Sequence, residues 1–146
     1  MKALLIASLL LLASCGQGAP DIQIADAWAR ETVEGQSGTA AYMAIDNRGS
    51  GDDRLLGISA QAPVAATLHE TSTAGGISSM RPLADGFAIP AGQTVLLKPS
   101  GVHIMISGLA APLRQGDALK LTLRFERSGD RSVDFKVASA MAGMSH

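Results

Sequence analysis

The sequence predicts an all-β protein, an antiparallel β-sandwich, from three observations. Gly, Pro and Asp punctuate the chain every ~8–12 residues, the turn spacing of a sandwich or barrel. Apolar and polar residues alternate in Leu119-Lys-Leu121-Thr-Leu123-Arg-Phe125-Glu and again in Val133-Asp-Phe135-Lys-Val137, the pattern of strands with one buried and one wetted face. No helical pattern of ten or more residues is found, and the helix-like composition of 60–66 is broken by Pro63. With 146 residues the chain fits one domain with a substantial core.

The first segment, 1–15, lies outside that domain. Lys2 precedes an apolar run, Ala3 to Leu12, which is too short for a stable membrane span and has the proportions of a secretory signal. It ends in Leu12-Ala13-Ser14-Cys15, which resembles the lipobox of bacterial lipoprotein precursors. That resemblance implies cleavage before Cys15, its lipidation, and attachment of the protein to a membrane outside the cytoplasm, most simply in the periplasm. Residues 16–21 read as a tether, 22–138 as the domain, and 139–146 as a flexible tail.

Within the domain the candidate strands are 22–28, 40–47, 54–59, 65–70, 77–81, 94–98, 102–107, 118–126 and 132–138. Met43 alternates with Ala41 and Ile45 and reads as core, as does Trp28. Without Lys2, 11 basic residues face 13 acidic ones, and no basic patch interleaved with aromatics appears. Nucleic acid is therefore not an expected partner. Cys15 is the only cysteine. Once it is lipidated the domain has no thiolate for a nucleophile, a zinc–cysteine site or a blue-copper centre. His69-Glu70 lacks the second histidine of a zincin, and neither a Gly-x-Ser-x-Gly elbow nor a Gly-rich phosphate loop is present, so the chain is not expected to be an enzyme.

The chemistry-bearing residues are three histidines and their methionine neighbours. His103 and Met105, at i and i+2 in a strand-like stretch, share one face and leave Ile104 and Ile106 on the other. His69 ends another strand pattern, and the Gly75-Gly76 turn suits a hairpin folding Met80 back towards it. Taken singly, each pair also fits a half-buried histidine beside a core methionine. Imidazole and thioether together form a poor set for zinc, calcium or magnesium but a good one for soft Cu(I). Glu70 either steadies a ligand histidine or faces solvent. Met141, Met144 and His146 form a second cluster in the tail, read either as an exposed terminus or as an auxiliary copper-binding arm. His146 with a terminal carboxylate would also suit Cu(II).

The spacing His69-x10-Met80, followed after 22 residues by His103-x-Met105, resembles the signature of the PCu(A)C family of periplasmic copper chaperones. The flanking residues agree: Ala27-Trp28-Ala29-Arg30, the stretch from Ala40 to Asn47, Leu68-His-Glu70, Met80-Arg-Pro82, Ile89-Pro-Ala-Gly92, Leu97-Lys-Pro99 and Gly116-Asp117. The resemblance runs from about Ile22 to Val137. It implies a cupredoxin-like β-sandwich with Greek-key connections that binds one Cu(I) through His69, Met80, His103 and Met105. It further implies delivery to a copper-accepting protein, such as subunit II of cytochrome c oxidase during assembly of its dinuclear copper site, or another copper chaperone. Copper uptake, storage or homeostasis is the alternative role, and an electron-transfer cupredoxin a more remote one. Typical members carry further methionines between the first histidine and the motif methionine; residues 70–79 here contain none.

The ligand chemistry suits an oxidising compartment. Cysteine ligands outside the cytoplasm are exposed to disulfide formation. A thioether has no such pairing reaction, and imidazole is neutral above about 6.5 and then offers a lone pair.

Overall fold

The computed structural model describes residues 18–139 and 141, which contain ten strands and no helix. They are β1 (Ile22–Arg30), β2 (Thr39–Asn47), β3 (Asp53–Ser59), β4 (Ala65–Ala74), β5 (Ile77–Pro82), β6 (Phe87–Ile89), β7 (Thr94–Leu97), β8 (Val102–Ser107), β9 (Ala118–Phe125) and β10 (Gly129–Ala138). The all-β expectation holds. Nine strands coincide with the sequence pattern to within a few residues at each end. The tenth, β6, is three residues long and too short to show alternation.

The strands are hydrogen-bonded in the order β5-β4-β8-β2-β1-β10-β9-β3-β6, with β7 also paired to β2. The path curls until β3 lies beside β4 across a groove lined by Leu56, Ile58, Ala66, Leu68 and Leu83. One core fills the interior. Ile22, Ile45, Ile104, Leu121, Leu123 and Phe135 are wholly buried within it, each stabilising the fold by about 1.5–3 kcal/mol relative to exposure. The alternation of β9 is realised directly: Leu121, Leu123 and Phe125 are buried while Lys120 and Arg124 are exposed.

One pairing departs from the antiparallel expectation. β1 pairs antiparallel with β2 but parallel with β10, Trp28 to Arg30 lying beside Lys136 to Ala138. The register of β1 shifts between Ala25 and Trp28, and Asp26 there has φ of 51°. Aspartate tolerates that left-handed conformation better than most residues, as a bulge requires.

Two buried polar side chains fasten the loops. Asn47 accepts from the backbone N–H groups of Asp21 and Gly49 and donates to the carbonyls of Gly51 and Ile89. Asp53 accepts from the N–H groups of Arg54, Arg127 and Ser128 and from the Ser128 hydroxyl. Burial works to raise the Asp53 pKa, but these hydrogen bonds outweigh it and hold the carboxyl below its ordinary value.

Candidate metal centre

β4 lies between β5 and β8. In antiparallel pairs, directly opposed residues project to the same face. His69 is opposed by His103 on β8 and by Pro82 on β5. Thr67 is opposed by Met105, and Thr71 by Met80. Thr67, His69, Thr71, Met80, His103 and Met105 therefore share one face, while Leu68, Ile104 and Ile106 enter the core from the other. The same-face expectation for His103 and Met105 is met.

The β4–β5 register comes from the connection. Gly75 and Gly76 form a two-residue turn with φ of 60° and 79°, the left-handed pair that a type I′ hairpin needs. It brings Pro82, not Met80, opposite His69. Met80 folds back as expected, but its contact lies elsewhere: its side chain crosses β4 diagonally and places Sδ 3.2 Å from Nε2 of His103. Pro82 has no N–H to donate, which a strand at the end of the sheet accommodates.

His103 is held firmly. The residue is only 6% exposed, and its Nδ1 lies 3.0 Å from the Gly101 carbonyl. A carbonyl can only accept, so Nδ1–H is the donor, and Nε2 of the neutral ring carries the lone pair. Gly101 also accepts from the Thr71 N–H, which extends the sheet and fixes the carbonyl's direction. An imidazole lone pair thus faces a thioether sulfur. Neither atom carries a hydrogen to donate, and both are electron-pair donors to a soft metal.

The His69 ring lies 6.3 Å from that of His103, centroid to centroid, with 27° between the ring planes, and its Nε2 is 3.0 Å from the Thr67 hydroxyl. Met105 is half-buried on the same face, and Met80 is 50% exposed. Among the described residues no three His, Cys, Asp or Glu side chains cluster. The donors on this face are two imidazoles and two thioethers, with no carboxylate or thiolate among them.

Glu70 points away from this face, as the neighbour of His69 in a strand must. It is paired with Arg81, opposite on β5, and among the described residues no hydrogen bond or ion pair joins it to a histidine. The polar supports of the histidines are instead the Gly101 carbonyl and the Thr67 hydroxyl. The first is a backbone atom that residue patterning does not reveal. The second was accessible to period-two reasoning from His69.

Trp28 is half-buried and packs on Tyr42, with ring centroids 4.8 Å apart. Met43 is core. Burial raises the Tyr42 pKa, partly offset by Arg30, whose guanidinium carbon is 5.8 Å from the ring centre. Met141 is 68% exposed. Cys15, Met144 and His146 lie outside the described residues.

Known proteins agree with this fold. A family model described as "Putative lipoprotein LpqE-like" matches residues 22–137. "Putative lipoprotein Lxx21020" of Leifsonia xyli subsp. xyli is 41% identical over 110 residues, 75% of this chain and 65% of that protein. "Uncharacterized protein RP573" of Rickettsia prowazekii is 29% identical over 115 residues, 77% of this chain and 64% of its own length. The chain thus spans a little under two-thirds of these relatives. Among solved structures, "Copper-bound PCuAC domain from PmoF2" superposes with a TM-score of 0.65 at 24% identity, covering 81% of this chain and 92% of that one. The solution structure of apo-DR1885 from Deinococcus radiodurans gives 0.63 at 26% identity, covering 98% and 97%. From β1 almost to the end of β10 the match is continuous, and the chain belongs to the LpqE-like family and has the fold of PCuAC domains.

Proposed function

We propose that this protein is a Cu(I) carrier that binds one ion through His69, Met80, His103 and Met105 and passes it to another copper protein. The observation that carries the reading is the contact between Nε2 of His103 and Sδ of Met80, with His69 and Met105 on the same face. An uncharged imidazole–thioether set favours a soft monovalent ion over hard divalent ones. The copper-bound state of the PmoF2 domain, which shares this fold, supports copper as the metal.

Accessibility fits transfer rather than catalysis or storage. Met80 sits half-exposed on the terminal strand β5, so an acceptor's ligand can approach the ion from that side while His103 still holds it. The acceptor is a copper-receiving protein, such as cytochrome c oxidase subunit II or a further chaperone. Cys15, lipidated, would tether the carrier to a membrane outside the cytoplasm, as the lipoprotein names of the family and of a relative support. Met141, Met144 and His146 would serve as an auxiliary arm, with His146 suited to Cu(II).

Anaerobic titration with Cu(I) against a competing chelator tests this. The full chain should take up one equivalent tightly, and the double variant His103→Ala/Met105→Ala should lose it. Unchanged binding in the double variant would exclude the assignment.

A further inference from the structure

The two histidines of the site are held in opposite senses. His103 turns towards Met80 and Gly101, with Nδ1 on the Gly101 carbonyl and Nε2 against the sulfur. His69 turns the other way. Its Nε2 meets Oγ1 of Thr67, which is two residues back along β4 and stands in the row of Met105, on the far side of His69 from Thr71 and Met80. The outer nitrogen of His69 is therefore engaged by a hydroxyl away from the His103–Met80 pair, and the two rings remain 6.3 Å apart. His103 is buried and anchored to backbone, whereas His69 is half-buried and, among the described residues, is held by an exposed threonine.

We propose that Thr67 is a latch on His69. Its hydroxyl holds the imidazole open in the metal-free protein, and Cu(I) gains His69 as a ligand only by displacing that hydrogen bond. The exchange is one hydrogen bond for one coordinate bond, with no change of oxidation state, and it reverses on release. His103 and Met80 receive the ion first; His69 closes last and opens first. Thr67 is thus a positioning residue that lowers affinity and speeds transfer. The inference rests on the copper reading above.

Thr67→Val removes the hydroxyl while keeping the β-branched shape that a strand favours. In the full chain, anaerobic chelator competition should show Thr67→Val binding Cu(I) roughly two- to tenfold more tightly, the worth of one neutral hydrogen bond. Release to excess chelator should slow in proportion, and Thr67→Ser should behave as the parent. In a His69→Ala background Thr67→Val should change nothing. NMR of the metal-free protein gives a readout independent of copper: the Nε2 shift of His69 should move in Thr67→Val while that of His103 stays. Unchanged or weaker binding in Thr67→Val overturns the latch, as does an effect that survives in His69→Ala. If His69→Ala alone binds as tightly as the parent, the ligand assignment itself fails, and the latch with it.

Discussion

Met80 stands opposite Thr71 on the neighbouring strand, yet its sulfur rests against His103, two strands away. The long unbranched side chain spans β4, so removing its sulfur should affect the metal and little else. Met80→Leu keeps apolar volume at a half-exposed position. The expected result is at least about a tenfold loss of Cu(I) affinity, the consequence of losing about 1.4 kcal/mol or more, with the melting temperature unchanged. Chelator competition and thermal unfolding measure the two effects.

His103 should behave differently because it is both buried and bonded to Gly101. His103→Ala should abolish the site and also destabilise the fold by about 1–3 kcal/mol, since it opens space and removes a donor from a part-buried carbonyl. Denaturant unfolding of the metal-free protein would reveal this as a lower midpoint. An unchanged midpoint would mean that the ring is not structurally anchored.

Glu70 offers a control beside the site. It faces away from His69 and pairs with exposed Arg81, so Glu70→Gln should leave Cu(I) affinity within about twofold and stability within about 1 kcal/mol. A large loss of affinity would show that Glu70 reaches the histidines.

How much of this was legible in the residues differs by level. Period-two patterning was enough to find nine strands and to put His103 and Met105 on one face. The three-residue β6 carries too little pattern to be found, and alternation marks neither the parallel β1–β10 pairing nor the register shift of β1 beside Asp26. The hairpin was readable from Gly75-Gly76, but its register was not: the turn sets Pro82 against His69, and a diagonal reach then gives Met80 to His103. The resemblance to the PCu(A)C signature named His69, Met80, His103 and Met105 together; of the histidines' polar supports, the Thr67 hydroxyl shares the face of His69 by period two, whereas the Gly101 carbonyl became visible only in three dimensions.

The turn itself is testable. Gly76 has φ of 79°, where a β-branched side chain is strained, so Gly76→Val should cost about 1–2 kcal/mol. By loosening the hairpin that carries Met80 it should also weaken Cu(I) binding. Parallel measurement of melting temperature and affinity should show both falling together.

Asp53 governs acid stability far from the metal site. Its folded-state pKa lies below the ordinary 3.8. Its contribution is therefore complete above the unfolded value and is lost as pH falls through 3.8 and then through the lower folded value. Asp53→Asn substitutes an amide whose NH2 opposes donors from Ser128 or Arg127 and should cost about 2–4 kcal/mol near neutrality. Chemical denaturation from pH 7 down to about 3 should show the parent losing stability at the acid end and the variant losing less.

The carrier role stands on imidazole nitrogen and thioether sulfur binding the same Cu(I). X-ray absorption of the full chain loaded with one equivalent measures this directly. The expected spectrum has nitrogen scatterers at about 2.0 Å together with sulfur at about 2.3 Å, and Met80→Leu/Met105→Leu loses that sulfur signal. A first shell of nitrogen and oxygen alone, or sulfur scattering that survives the double substitution, would contradict it.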